Sequence, residues 1–224
     1  MKITKVVLVP VLAAVLLASG CSSSDEVAAK VGSEQVTSGD VAVLSDMQCT
    51  LVKGSPQQQG PIPMRSLRDA SVDALVHMEV VGQLLEARDA TEFDGQALRQ
   101  QVAGAEDALK AMPKDERAHA IDILTEYTKR SLQLQQLAVE ELQKQGVSQP
   151  GQQQVQETQQ KLLEDFRKTI DVDVSPAFSP DKDNRPGGED GSLSVPVSAY
   201  AKQATQQQPD ASFTASLPKS MRCG

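Results

Sequence analysis

The strongest constraint on the fold is a run of about twenty residues, from about Ser66 to Arg88, in which apolar side chains recur at steps of three and four. This spacing predicts an amphipathic helix with one face in a core. A second row of valines widens the apolar face, so we expect this helix to be the most buried. The two rows are Leu67, Ala70, Ala74, Met78, Val81 and Leu85, and Val72, Val76 and Val80.

Four other segments have helical spacing and complete a prediction of five helices in a mainly α fold. Aromatic residues make up only 3% of the chain and tryptophan is absent, so the core must be aliphatic. The residues on the predicted buried faces are Val41, Leu44, Gln48 and Leu51; Leu98, Val102, Ala105, Leu109 and Met112; Ile121, Leu124, Thr128, Leu132, Val139 and Leu142; and Val155, Leu162, Phe166 and Ile170.

Capping residues mark where some of these helices begin and end. Thr37 and Asp40 have capping-box spacing before the first helix. Gly146, with Leu142 and Val147 around it, predicts a Schellman motif at the end of the fourth. That helix would be roughly 45 Å long at about 1.5 Å per residue, so we expect it either to project as an arm or to bend.

Short segments near both ends of the helical region predict a small β element. Residues 27–36 predict a short strand, a Gly-Ser turn and a returning strand, and residues 171–175 alternate as a strand does. Residues 176–224 are rich in Pro, Gly, Asp and Gln and predict an extended segment of low order, unless Cys223 fixes its end. Within that segment, residues 193–197 contain a proline and are restricted to an edge strand or strap.

The beginning of the chain has the order of a secretory leader. Lys2 and Lys5 precede an apolar run over residues 6–18, and small residues then lead to Cys21. Residues 17–21, Leu-Ala-Ser-Gly-Cys, resemble a bacterial lipobox, whose cysteine receives a diacylglycerol on sulfur and begins the mature protein.

We therefore predict a lipoprotein signal peptide over residues 1–20, lipidation of Cys21 and a polar tether over residues 21–26, with disordered termini. The alternatives are a plain secretory signal with an incidental cysteine, or a short membrane anchor. The apolar run is shorter than the roughly twenty residues needed to cross a bilayer. Acyl chains on Cys21 would hold the protein on the outer face of the cell membrane.

Cys49 and Cys223 are the two remaining cysteines. In an oxidising compartment an even pair is expected to form a disulfide, which would tie the first helix to the last residues of the chain. Closing so long a loop stabilises a fold by up to roughly 5 kcal/mol. The alternative is two unpaired thiols.

The net charge of −8 argues against nucleic acid as a partner and against attachment to anionic lipid through a basic patch. His77 and His119 are the only histidines, and each stands alone on a predicted helix. Residues 181–183 begin like a calcium loop, but Arg185 and Pro186 occupy the next ligand and glycine positions. We predict no metal, no cofactor and no catalytic residue.

Residues 28–41 resemble the start of the SurA, PrsA and trigger-factor-related chaperones. In that family a strand of the form Val-Ala-x-Val-Asn-Gly-x-x-Ile runs into Thr/Ser-x-x-Asp/Glu and a helix. The sequence here is Ala-Ala-Lys-Val-Gly-Ser-Glu-Gln-Val-Thr-Ser-Gly-Asp-Val, with Gly-Ser replacing the Asn-Gly turn. The resemblance covers residues 27 to about 200 and implies a SurA N-domain-like fold whose late strand, residues 172–174, pairs with the first. The resemblance is to members of the family in which this helical module stands without a following parvulin isomerase domain.

The resemblance implies that residues 27–175 form a helical chaperone-like domain with apolar patches. We expect a non-catalytic holdase for unfolded exported polypeptides, anchored to the bilayer through the acylated Cys21. One alternative is a structural or adaptor lipoprotein that binds a single envelope partner. The other is an enzyme whose site cannot be recognised in the sequence. The matching motif is structural, so it implies no individual client-binding residue.

Overall fold

The computed structural model describes residues 26–54, 60–187, 198, 201–203, 206 and 209–224. Over these residues the chain is mainly helical, with two small antiparallel sheets, so the predicted fold class is confirmed at that level. The signal peptide, Cys21, nearly all of the tether and the strap at residues 193–197 lie outside the described residues.

The described residues form five long helices, which make up the body of the protein, and one short helix near the end of the chain. The helices are α1, Ser38–Gly54; α2, Met64–Ala87; α3, Gly95–Ala108; α4, Lys114–Lys144; α5, Gln152–Arg167; and α6, Ala211–Ser216. Helix α4 packs against α1, α2, α3 and α5, and near its end Leu142 packs against Val155 of α5. The expectation that α4 projects or bends stays a prediction.

The predicted caps of α1 and α4 are present. The Thr37 hydroxyl oxygen accepts the Asp40 backbone N–H at 3.1 Å at the start of α1. At the end of α4, the N–H of Val147 donates to the Leu142 carbonyl at 3.0 Å. Gly146 has a φ of +90°, which a residue with a side chain adopts only with strain, and this conformation turns the chain out of the helix.

Five short strands form two antiparallel sheets in the described part of the chain, and the first sheet joins the two ends of the helical region. The strands are β1, Val27–Val31; β2, Glu34–Thr37; β3, Ile62–Pro63; β4, Val172–Val174; and β5, Arg222–Cys223. The first sheet is antiparallel with the order β2-β1-β4, and Val31 lies opposite Val172. The expected pairing of the first and late strands is therefore confirmed.

Helix α2 is central to the core, as predicted. It packs against the sheet, α1, α4 and α5, and its valine row, Val72, Val76 and Val80, is buried. Gln83 donates its side-chain N–H to the Val31 carbonyl at 2.7 Å, which holds β1 against this helix. Two serines, Ser45 and Ser71, allow α1 and α2 to approach closely, with their hydroxyl oxygens 3.1 Å apart in the core.

Some predicted buried faces are wrong. Leu51 is 40% exposed because Met47 and Cys49, not Leu51, turn towards the core near the end of α1. Ala70 is exposed. Helix α3 has no buried residue, since its apolar side chains are only partly covered by its neighbours. Leu109, which follows α3, is completely buried.

The C-terminal residues 209–224, which we call the clasp, meet the stated exception to low order in residues 176–224, because Cys223 fixes their end. The clasp contains α6 and β5, and β5 pairs antiparallel with β3, placing Cys223 opposite Ile62. Cys49 and Cys223 form the expected disulfide. The clasp therefore takes its order from distant partners, Cys49 and β3.

Candidate functional site

An apolar groove with a volume of about 210 Å³ lies between α1, α2 and α4. We call it the α1–α2–α4 groove. Only two of its nine lining side chains, Gln48 and Tyr127, carry a nitrogen or oxygen atom. The lining residues are Leu44, Met47 and Gln48 of α1, Ala74, Leu75 and Met78 of α2, and Ile123, Leu124 and Tyr127 of α4.

The groove has a buried floor and an exposed apolar edge. Met47, Leu75 and Met78 on the floor are each less than a tenth exposed. Tyr127 at the edge is 41% exposed, and Leu51, one helical turn beyond Gln48, is 40% exposed. Large apolar side chains in such positions extend the apolar surface from the groove to solvent.

Two polar contacts hold α4 beside the groove. At the start of both helices, His119 Nε2 lies 2.9 Å from Asp40 Oδ1, which links α4 to α1. One turn beyond Tyr127 in the direction of the chain, Arg130 donates to the Met78 carbonyl at 2.8 Å and pairs with Glu79 at 3.2 Å, which links α4 to α2. The walls of the groove are therefore fixed at both ends.

The Arg130 contact depends on a glycine in α2. A Cβ atom on Gly82 would lie 2.7 Å from Nη1 of Arg130, so a side chain at this position would displace the guanidinium. Burial disfavours the charge of Arg130, but Glu79 and Glu126 outweigh that effect and raise its pKa. Arg130 therefore remains charged and acts as a structural link.

The two histidines occupy different positions, and the structure gives each a carboxylate neighbour. His119 contacts Asp40 directly, at the start of α4. His77 lines a wide cleft of about 870 Å³ between α2, α5 and residues 182–185. Partial burial lowers the pKa of His77, and the nearby Asp73 carboxylate opposes that shift. His77 is therefore neutral near neutral pH.

The segment that begins like a calcium loop forms a tight turn. Asp181 Oδ1 accepts the backbone N–H of Asp183 at 2.8 Å and that of Arg185 at 2.9 Å. These bonds, that from Arg185 above all, lower the pKa of Asp181. Across residues 26–54, 60–187 and the described part of the C-terminal region, no three His, Cys, Asp or Glu side chains are grouped as a metal site requires.

Of the predicted site residues, Cys21 lies outside the described residues. Cys49 and Cys223 are joined near the C-terminal end of α1, away from the β2-β1-β4 sheet. The α1–α2–α4 groove was not identified from the sequence, because its walls come from three helices that are distant along the chain. The available signal was Tyr127, a large side chain beside the predicted buried face of the fourth helix. Among the helices the structure describes, none is both long and apolar enough to cross a membrane.

The chain matches no family model, no curated protein and no solved structure.

Proposed function

We propose that the protein is a lipid-anchored extracytoplasmic chaperone, a non-catalytic holdase that binds exported polypeptides in the α1–α2–α4 groove. The observations that carry this proposal are the apolar lining of the groove, from the buried Met47 and Met78 to the exposed Tyr127, and the exposed Leu51 one helical turn beyond Gln48 on α1. Each Å² of apolar client surface removed from water there contributes about 25 cal/mol. The flexible methionine side chains can adjust to different apolar partners.

Three further observations support the proposal. The leader and the lipobox-like residues before Cys21 are typical of a protein that is exported and then anchored. A disulfide between Cys49 and Cys223 fits an oxidising compartment. The β2-β1-β4 sheet joins the two segments that the SurA-type resemblance relates, and this arrangement agrees with a SurA N-domain-like lipoprotein without an isomerase domain.

The direct test is aggregation of several unrelated unfolded proteins, followed by light scattering, with a form of the protein that begins at Ser22. We expect equimolar amounts to slow the aggregation of all of them. Tyr127→Ser, in the groove, should remove most of this effect. Met221→Ser is the matched control, because Met221 is 51% exposed but lies in the clasp, away from the groove. If the wild-type protein does not slow aggregation, the holdase proposal is wrong.

A specific observation favours the alternative, an adaptor or structural lipoprotein with one fixed envelope partner. The Asp40–His119 and Arg130–Glu79 contacts fix the walls of the groove, and a rigid apolar groove suits a single complementary surface. Crosslinking in intact cells distinguishes the two functions. One dominant partner, lost in Tyr127→Ser, would support the adaptor, whereas many exported proteins would support the holdase.

The membrane anchor is tested separately from binding. Mass spectrometry of the mature protein should find Cys21 as the first residue, carrying a diacylglycerol on its sulfur. Cys21→Ser should move the protein from the membrane fraction to the released fraction without changing client binding by the purified domain. An unmodified residue 21 would contradict the anchor and leave the groove proposal standing.

A further inference from the structure

A second apolar pocket, which we call the clasp pocket, lies where the clasp meets β3 and the first turns of α2. Its volume is about 280 Å³. One wall is formed by the beginning of α2 and the other by the clasp and the adjoining Gln206. The lining residues are Pro63, Met64, Arg65, Ser66 and Arg68, and Gln206, Pro209, Phe213, Leu217, Ser220 and Met221.

The interior of the clasp pocket is apolar and its mouth is exposed. Leu217 is buried, and Met64 and Phe213 are half-buried on the two facing walls. Met221 is 51% exposed, the most exposed large apolar residue in the described part of the chain. These four side chains can enclose an alkyl chain and remove it from water.

The charge of this pocket is opposite to that of the whole protein. The chain has a net charge of −8, yet the lining residues that the structure describes include two arginines and no acidic residue. Arg65 lies 3.6 Å from Asp69 and donates to the Ser179 hydroxyl. Arg68 is exposed and has no ion pair or side-chain hydrogen bond to any residue that the structure describes. Its guanidinium is available to an anion.

We propose that the clasp pocket binds a fatty acid, with the alkyl chain among Met64, Phe213, Leu217 and Met221 and the carboxylate at Arg68. A guanidinium and a carboxylate form charge-assisted, frequently bidentate hydrogen bonds. Besides the two arginines, the polar side chains among the described lining residues are Ser66, Gln206 and Ser220. One guanidinium beside apolar side chains therefore matches a ligand with a single carboxylate and an alkyl chain.

The clasp pocket depends on the disulfide. Phe213, Leu217 and Met221 belong to the clasp, which is attached to the body of the protein by the Cys49–Cys223 bond and by the two-residue pairing of β3 with β5. Reduction of the bond leaves this short pairing and the noncovalent contacts of the clasp with β3, α1 and α2 to hold the wall in place. Fatty-acid binding therefore requires the oxidised protein.

The test compares three ligands that share a twelve-carbon chain but differ in the head group. Dodecanoate, dodecyltrimethylammonium and dodecyl maltoside are titrated by calorimetry, each below its micelle concentration, into the oxidised form beginning at Ser22. We expect dodecanoate to bind at least about tenfold more tightly than the cationic ligand, because one charged hydrogen-bonded contact contributes that much when partly screened. Absence of dodecanoate binding, or equal binding of all three ligands, would overturn the proposal.

Variants then locate the site. Arg68→Gln should weaken dodecanoate binding about fivefold to tenfold and leave dodecyl maltoside unchanged, and Arg68→Lys should restore part of the loss. Arg99→Gln is the matched control, because Arg99 is an exposed arginine on α3, away from the pocket. Met221→Ser should weaken binding through the alkyl chain.

Two outcomes would assign the binding elsewhere and overturn the proposal. Loss of dodecanoate binding in Tyr127→Ser but not in Arg68→Gln would place the ligand in the α1–α2–α4 groove. Tighter binding of an apolar peptide with a free C-terminal carboxylate, lost in Arg68→Gln, would make a polypeptide end the occupant.

Reduction of the disulfide tests the dependence on the clasp. Loss of dodecanoate binding on reduction, with the helical circular dichroism signal unchanged, would support the proposal.

Discussion

The two ends of α1 are held by different kinds of interaction. At its N-terminal end, β2 leads directly into the helix, Thr37 caps it and Asp40 contacts His119 at 2.9 Å. At its C-terminal end, Cys49 is bonded to Cys223, which lies 174 residues further along the chain. The first end is held by many weak contacts, most of them local. The second is held by one covalent bond and the two-residue pairing of β3 with β5.

This difference separates the roles of the two regions. We call the N-terminal end of α1, next to the β2-β1-β4 sheet, the sheet end, and its C-terminal end the clasp end. The sheet end carries the buried core, with Val31 and Ala28 completely enclosed. The clasp end carries an accessible pocket and the exposed Met221. The α1–α2–α4 groove lies between them, so a change at either end can be tested for its effect on the groove.

The largest expected effect is at the clasp end. Cys223→Ser removes the disulfide and should lower the free energy of unfolding by about 3–5 kcal/mol, because the unfolded chain is no longer restricted by so long a loop. The measurement is urea unfolding of the variant and the wild type, with limited proteolysis in native buffer. Cleavage should begin within residues 209–224 while the helical body stays protected. Equal stability, or loss of the whole fold at once, would contradict the comparison.

A core substitution tests the sheet end. Val31→Ala should cost about 2 kcal/mol, since Val31 is completely buried in β1 and the loss leaves a cavity under the sheet. Val52→Ala is the matched change near the other end of α1, where Val52 is only partly buried against the disulfide. It should cost less than half as much, measured by the same urea unfolding. A larger cost for Val52→Ala would reverse the comparison.

The cap of α1 has a smaller effect. Thr37→Ala removes the oxygen that accepts the Asp40 backbone N–H and should cost about 1 kcal/mol. Thr37→Ser keeps the hydroxyl and should retain most of the stability. Chemical unfolding gives both values. If Thr37→Ser is as unstable as Thr37→Ala, the methyl group and not the cap is responsible.

The smallest effect is a dependence on pH at the sheet end, where His77 shares a cleft with Val172 of β4. Partial burial lowers the pKa of His77, so the folded protein resists the proton that the unfolded chain takes up below its ordinary pKa of about 6.5. As the pH falls through that value, the unfolded chain binds a proton at His77 more readily than the folded protein does. The free energy of unfolding therefore decreases.

We expect the wild type to lose more stability than His77→Gln between about pH 7.5 and about pH 5.5, measured by urea unfolding at both values. An identical loss in both proteins would show that His77 does not couple to folding. The disulfide at the clasp end does not titrate, so Cys223→Ser should keep the full pH dependence of the wild type.

Much of the sheet end could be predicted from the sequence, because its determinants are local. The Gly-Ser turn at residues 32–33 and the capping pair Thr37 and Asp40 each specify a structure from a few adjacent residues. The valine row of α2 does the same through its period. The pairing of β1 with β4 came from the family resemblance, since spacing within one strand cannot select a distant partner.

The clasp and the groove could not be predicted in this way. Strands β3 and β5 have two residues each, and their order comes from pairing with each other across most of the chain. The direction that Leu51 faces depends on where α2 and the clasp cover α1, which no periodicity within α1 reveals. The α1–α2–α4 groove combines residues from three helices, so only their packing brings it together.

The central claim is that the α1–α2–α4 groove binds unfolded polypeptide, and site-specific photo-crosslinking tests it most directly. A photoreactive phenylalanine analogue is placed at position 51, 127 or 221, and the protein is irradiated with an unfolded exported protein. We expect crosslinks from positions 51 and 127 and few from position 221, which is at least as exposed. Crosslinks from position 221 alone, or from none of the three positions, would contradict the account.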